Sequence, residues 1–527
     1  MVRSSLTRRQ ALARAGGVLL SVPGAFLLAS CGAATSATAG VTAVPSASPK
    51  AGGTPISGTA STATGATESI SPAQATAVAA QNAPIADKPP AGVAASTPNA
   101  EAKGSLTWLV RSGLAENEGQ KTVFLPAAKA LLPETKIEYI VIPGADYIPK
   151  IYTMAAGGAP PDVWGFGGNY FDYWAKGLPE PLDQYINADK WDVDSHFLAG
   201  LMNIYKVKGK HYGLSQLTTF GNLGFYNKDL FEQAGVKPPP IDWADTSWNV
   251  GSMLDAAHKL TKKAGQPDAV YGVDWGVSNA PDLAYLWGDD AWMPEHYTNF
   301  IAPASQLDHP GVIDAYQFRQ DLLFKEHVMA TGADYKAIGS LPKGLFWNQR
   351  VAMSFSGGWN FWNYNHITSF RVGVCAVPGK TSNKVTDFDD FWIMARESKV
   401  KETAWAFMRM LTNADIAADY GLLTGTPVTP RAAYDKWLPS QAAKYKMTVE
   451  DLKTVTLGAI DPKRSQESTD HLFLEWPTIS KAFNDGMKGV YVENKGSVSA
   501  LMPSIKGAVD GVVRAIYDRN NGKLPTS

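Results

Sequence analysis

The composition of this 527-residue chain changes abruptly near residue 105, and that break limits the possible folds more than any single motif does. From residue 32 to about 104 the chain is dominated by Ala, Thr, Ser, Gly and Pro, with very few aromatic side chains. Such a tract buries too little apolar surface to offset the entropy of ordering it, so residues 31–104 are expected to form a disordered tether. As a flexible coil it reaches roughly 45 Å r.m.s.. The folded body must be built from residue 105 onward, and a chain of 527 residues is expected to divide into two or three domains.

Upstream of the tether, "TRRQAL" carries the pair Arg8 and Arg9 just before a mostly apolar stretch from Ala15 to Ser30. The stretch is too short to span a bilayer comfortably and ends in small residues, so residues 1–30 are expected to be a twin-arginine-like targeting segment. Leu28-Ala29-Ser30-Cys31 resembles the bacterial lipobox, in which cleavage precedes a cysteine whose thiol and new amino terminus receive lipid. On that resemblance Cys31 is a lipidation site, held by several acyl chains at ~0.8 kcal/mol per buried methylene. The alternative is a plain signal peptide with an incidental cysteine. The other thiol, Cys375 in "FRVGVCAVPG", sits in an apolar strand pattern and is read as a small buried hydrophobe. With no CxxC and no HExxH among eight histidines, neither a metal site nor a cofactor is expected.

A formal net charge of −1 gives no global field for nucleic acid, and no nucleic-acid partner is expected. In the body, "SLTWLV" and "TKIEYIVIPG" read as strands flanking a helical pattern with a proline inside it, and "PDVWGF" as the end of a third strand. Strand–helix–strand spacing predicts parallel pairing in an α/β lobe. Ligands of such sheets sit at the carboxyl ends of strands, which directs attention to Arg111, Glu116 and Asn117 and to "WGFGGNY". A dinucleotide reading of those glycines fails, because GxGxxG from Gly165 needs a glycine where Tyr170 stands. The apolar stripes Val250, Met253, Leu254, Ala257, Leu260 and Ala404, Phe407, Met408, Leu411 predict amphipathic helices facing a core.

Several stretches together resemble the sugar-type extracellular solute-binding proteins of ABC transporters, the maltose-binding-protein-like family 1. They are "APPDVWGFGGNYFDYWAKGLPEPLDQYI", "VKGKHYGLSQLTTFGNLGFYNKDLFEQAGVKPP", "FWNQRVAMSFSGGWNFW", "SKVKETAWAFMRMLTNADIAADY" and "GTPVTPRAAY", in family order. The chain departs from the family pattern at Ser215, at Gln349 with Arg350, and in "DFDDFWIMARES", which lacks the usual glycine pair. The resemblance implies an α/β, two-lobed periplasmic-binding-protein-like (type II) fold with crossover hinge segments. One lobe would take residues 105–220 plus 387–426 and the other 221–386 plus 427–520, with crossings near Thr219–Asn222, Thr386 and Pro427. It further implies a monomer on the outer face of the bacterial cytoplasmic membrane that delivers a carbohydrate to an ABC transporter permease and catalyses nothing.

Sugars present hydroxyls at the rim and C–H groups on the faces, so a site for them needs flat rings and planar polar groups. The candidates with that chemistry are Trp164, Phe166, Asn169 and Tyr170; Trp287, Asp289 and Trp292; Trp359 and Asn360; Asp390 and Trp392; Gln216 and Thr218; and Arg111 with Glu116. By family position Trp359 leads. The competing assignment for each ring is core packing, and for Arg111 and Glu116 a solvated surface. Two functional alternatives stay open. A secreted carbohydrate hydrolase or lyase would need two facing carboxylates, which "GDD" and "FDD" offer, whereas "GVSNA" lacks the last glycine of GxSxG. The same fold could instead hold a non-sugar solute.

Overall fold

Leu106, Trp108, Leu109 and Val110 are all buried in β1 (Lys103–Arg111), so this strand is apolar on both faces and belongs in the middle of a covered sheet. It pairs in parallel with β2 (Glu134–Ile142) on one side and β3 (Val163–Gly165) on the other. The computed structural model describes residues 72–523, apart from 166–169, 199, 219, 276–279 and 469–472. The β1–β2 connection is helical, and Pro126 falls inside it. A proline has no N–H to donate to the preceding turn, and here a π-helical turn, Gln120–Phe124, joins the helices Leu114–Gly119 and Leu125–Leu131.

After β4 (Leu214–Thr218) the chain leaves this sheet and builds a second one from β5 (Asn222–Asn227), β6 (Tyr271–Trp275), β7 (Val351–Gly357) and β8 (Val372–Cys375). It then passes through β9 (Val385–Asp387) and returns as β10 (Asp389–Met394), antiparallel between β3 and β4. The strand orders are β2-β1-β3-β10-β4 and β8-β5-β7-β6, so each lobe has its own mixed sheet. A third passage follows helix Ala414–Thr424, where Val428 bridges Leu217 and the Pro427 carbonyl accepts from the Thr218 N–H at 3.3 Å. Helix Arg431–Tyr445 then packs on the second lobe, as do the long helices Trp476–Tyr491 and Val498–Arg519.

The crossings are pinned to one another. Phe220 and Gly221, both left-handed, make the tight turn between β4 and β5. A Cβ on Gly221 would lie 2.1 Å from the Thr386 carbonyl oxygen, so the first crossing touches the β9 segment directly. The Phe220 ring is enclosed by Phe361, Tyr434 and Trp437, and the Trp437 indole N–H donates to the Gly425 carbonyl at 3.0 Å.

One expectation needs correction. The tract assigned to the tether is ordered from Pro72 on. Helix Pro72–Asn82 buries Ala77, and the Gln81 side-chain amide completes the outer edge of β2: it donates to the Tyr139 carbonyl at 2.8 Å and accepts from the Val141 N–H at 2.7 Å. Lys121 Nζ donates to the Gln81 and Ala83 carbonyls at 2.8 and 2.5 Å. Further on, Gly92 presses against the backbone of Asp415 and Ile416, and its N–H donates to Asp419 at 2.6 Å. The composition argument counts only apolar surface the tract itself can bury; here the first lobe supplies the partners. Arg8, Arg9 and Cys31 lie outside the described residues. Among the described residues, no helix is long and apolar enough to cross a membrane.

Replacing Gln81 by Ala removes two edge hydrogen bonds, together worth on the order of 1–3 kcal/mol. Hydrogen exchange is expected to accelerate roughly 5- to 100-fold over residues 72–83, with β1 amides unchanged; unaltered exchange there would show that Gln81 does not hold the strap.

Candidate functional site

Three parallel strands and one antiparallel neighbour decide which edge of the first sheet can bind. β1, β3 and β4 run the same way, because β10 is antiparallel to both β3 and β4. Their carboxyl ends and the start of β10 therefore share one edge. The crossings leave from that same edge, so it faces the second lobe, where a clamped ligand would touch both sheets.

Arg111 ends β1 at this edge. Its guanidinium donates to Glu116 Oε1 at 2.8 Å, and both side chains are buried. Glu116 and Asn117 lie in the first turn of the helix that follows. The Asn117 amide donates to the Arg111 carbonyl (3.0 Å) and to Gln120 Oε1 (2.9 Å), which also accepts from the Tyr139 hydroxyl at 2.8 Å. A buried charge pair of this kind fixes geometry more than it adds stability; removing one member leaves an uncompensated charge and costs about 3–5 kcal/mol. Tyr147, from the helix after β2, donates its hydroxyl to the Gly165 carbonyl at 2.5 Å and so ties in the end of β3. Burial raises its pKa far enough to keep it protonated, with the Arg111 charge pulling the other way and Asp390 and Glu116 adding to the rise.

At the start of β10, Asp389 stands opposite Thr218 and Asp390 opposite Leu217, and both carboxylates are buried. The Tyr205 hydroxyl donates to the Asp390 carbonyl at 3.1 Å. Burial raises the Tyr205 pKa, and the two carboxylates raise it further. Thr218 uses its hydroxyl oxygen to accept the Phe220 N–H at 3.1 Å, which caps the crossing turn. Gln216 is half-buried on the same strand.

The second lobe reaches the crossing through Trp359. Its ring is 8% exposed and meets Phe388, the residue between β9 and β10, edge-on at 5.6 Å. A Cβ on Gly357 would sit 1.9 Å from this ring, so the glycine lets the indole fold back over the end of β7. Asn360 opens the short helix Asn360–Asn363 and accepts from Asn363 at 3.2 Å.

The other candidates lie elsewhere. Trp164, Tyr170 and Trp392 are core rings of the first lobe: Trp164 packs on Tyr173, Trp392 on Trp108, and Tyr170 bonds the Tyr205 carbonyl at 2.9 Å. Gly165 is required by that core, since its Cβ would lie 2.2 Å from the Trp392 ring. Trp292 is buried in the second lobe among His296, Phe473 and Trp476. Trp287 packs on Phe318. Asp289 accepts from Gly311 N–H at 3.1 Å and pairs with His309 at 3.0 Å, at the start of helix Pro310–Phe324. Burial opposes its ionisation, yet the bond to His309 and the backbone donors hold its pKa below the ordinary carboxylate value. Phe166 and Asn169 lie outside the described residues. The structure thus brings Arg111, Glu116, Thr218, Asp390 and Trp359 to the crossing region, leaves Trp164, Tyr170, Trp292 and Trp392 in cores, and leaves Trp287 half-buried against Phe318. Sequence reasoning missed Tyr147 and Phe388; applying the loop-after-strand rule to β2 would have found "GADY". Among the described residues no cluster of three or more His, Cys, Asp or Glu side chains could hold a metal.

The sequence model for bacterial extracellular solute-binding proteins matches residues 116–418. A Brucella abortus (strain 2308) protein, provisionally named a binding protein, is 24% identical over 395 residues, covering 74% of this chain and 88% of its own. Among solved structures, an ABC substrate-binding protein from Listeria monocytogenes in complex with cycloalternan is similar with a TM-score of 0.64 at 23% identity, covering 78% of this chain and 99% of that one. An ABC transporter solute-binding protein from Thermotoga lettingae bound with α-D-tagatose gives 0.62 at 20%, covering 78% and 100%. The likeness establishes the two-lobed fold.

Asp290 supplies a test of the electrostatics beside Trp292. Burial pushes its carboxyl up to about 7 from an ordinary 3.8, although the Trp292 N–H (2.9 Å) and the Tyr297 hydroxyl (3.0 Å) donate to it. A pKa raised by folding stabilises the native state below the unfolded value and loses that contribution as pH climbs to the folded value. Urea unfolding is expected to show stability falling between about pH 4 and 7, by up to about 1.4 kcal/mol per pH unit, a slope that Asp290→Asn flattens. An unchanged slope in that variant would assign it to other groups.

Proposed function

The chain belongs to the bacterial extracellular solute-binding protein family, and from that premise we propose that it captures a carbohydrate between its lobes and delivers it unaltered to an ABC transporter permease. Lipid on Cys31 would hold it at the outer face of the cytoplasmic membrane, where the segment before Pro72 acts as the tether. The observation that carries the reading is the composition of the crossing region. Arg111–Glu116 and the Asp389–Asp390 pair line one edge, and the Trp359 ring stands over Phe388 beside them. Planar polar groups suit vicinal hydroxyls, and a flat ring suits a sugar face. Similar chains bound to cycloalternan and α-D-tagatose favour the same class.

The mechanism is hinge closure. A ligand that touches both lobes only when they are shut shifts the population toward the shut form, and moving it from 1:99 to 99:1 takes roughly 5.5 kcal/mol of differential binding. Polar groups positioned beforehand discriminate among sugars, because a mismatched hydroxyl leaves a buried partner unpaired.

A thermal-shift screen of the full chain against monosaccharides, oligosaccharides, polyols and cationic solutes tests this. Native-state binding at a hundredfold excess over Kd adds about 2.7 kcal/mol and raises Tm by several degrees. The expected response comes from one group of carbohydrates, with the sugar recovered intact; a response only to a non-sugar solute, or release of a cleaved product, contradicts the reading. In the same assay Trp359→Ala is expected to weaken sugar affinity about tenfold or more. Unchanged affinity in a folded variant would remove that ring from the site.

A further inference from the structure

The lobes also touch away from their crossings. Phe171 follows β3 in helix Tyr170–Ala175, whose Tyr170 packs on Phe391 of β10 and whose Tyr173 packs on Trp164. It belongs to the first lobe. Phe300 ends helix Pro294–Asn299. That segment is fixed to the second lobe: Ser305 binds Asp510 of helix Val498–Arg519 at 2.7 Å, and Trp292 packs on Trp476. Helix Val498–Arg519 packs on helix Pro310–Phe324, whose Phe318 reaches Trp275 of β6. The two phenylalanine rings are stacked, with centroids 3.9 Å apart and planes 23° from parallel, at 0% and 1% exposure.

A second observation concerns the backbone. Phe300 has φ +60°, left-handed, just past the end of its helix. That position favours glycine, and a bulky side chain there is strained. Its carbonyl accepts the Leu474 N–H at 3.3 Å, which helps fix the unfavourable turn. Backbone strain of this kind persists where the surrounding structure needs a particular side chain aimed in a particular direction. Here it aims an aromatic ring at the opposite lobe.

We propose that the Phe171–Phe300 stack is a closure latch: an interlobe contact made when the lobes shut, which sets the closed fraction and hence the affinity for any ligand the cleft takes. Opening the lobes separates the rings and returns both faces to water. Losing one ring from such a contact shifts the open–closed equilibrium about 10- to 100-fold toward open. Apparent affinity scales with the closed fraction, so the stack tunes binding through that fraction. The inference rests on lobe geometry alone and stands whether or not the ligand is a sugar.

The test is an interlobe distance. Spin labels at Asn187→Cys and Lys259→Cys, both exposed and one in each lobe, are placed in the full chain carrying Cys31→Ser, with the second native thiol, Cys375, buried. Phe171→Ala, Phe300→Gly and the double variant are compared with the parent by pulsed electron–electron distance measurement. Phe300→Gly is the decisive variant, because it deletes the ring and relieves the left-handed strain at once. A latch predicts that Phe300→Gly stays folded yet moves the distance distribution to longer values. It also predicts that the double variant moves it no further than the larger single effect. Should Phe171→Ala fail to fold, Phe171→Leu gives the same reading. A folded Phe300→Gly chain with the parent distribution overturns the proposal, as does full additivity of the two substitutions.

Discussion

Gly221 and the Thr386 carbonyl meet where two passages of the chain run between the sheets, and the two-lobed form depends on that approach. Separate crossings act as one joint only if they are packed together. Here the backbone of one lies where a side chain on the other would clash, and Phe220 is locked among Phe361, Tyr434 and Trp437 on the far side. A joint so constrained bends over a few backbone angles and leaves each lobe rigid.

The polar edge of the first lobe is set by the same strand order. Because β10 returns antiparallel between β3 and β4, its first residues fall beside the ends of strands running the other way. Asp389 and Asp390 thus come level with Thr218 and Leu217, at the same edge as Arg111, while Tyr147 and Tyr205 donate hydroxyl hydrogens to nearby carbonyls. Arg111 is held by Glu116, and the two tyrosines by backbone carbonyls, so these side chains are positioned by the protein itself. Low surrounding polarity strengthens each interaction.

Much of this was legible in the residues. The strand patterns of β1 and β2 and the stripe of helix Val250–Leu260 follow from apolar spacing, and the stripe is buried apart from Leu254, which is half-buried while Ala256 is buried. What spacing could not settle was which tryptophans face a ligand. β3 and β10 are buried on both faces, so alternation carries no information there, and Trp164 and Trp392 turn into the core. Trp292 is decided by residues 473 and 476, far away in sequence. The strap from Pro72 escaped notice for a related reason: its partners, Lys121, Tyr139 and Asp419, belong to the body. Phe171 and Phe300 each read as ordinary apolar residues until the fold stacks them.

The central claim is that the cleft holds a carbohydrate and lets it go unchanged. Equilibrium dialysis of the purified full chain against a mixed glycan pool, followed by native mass spectrometry, addresses it directly. The account predicts one retained carbohydrate per chain, whose mass after release equals that of the molecule supplied. Retention of no carbohydrate, or release of a shortened one, would contradict it.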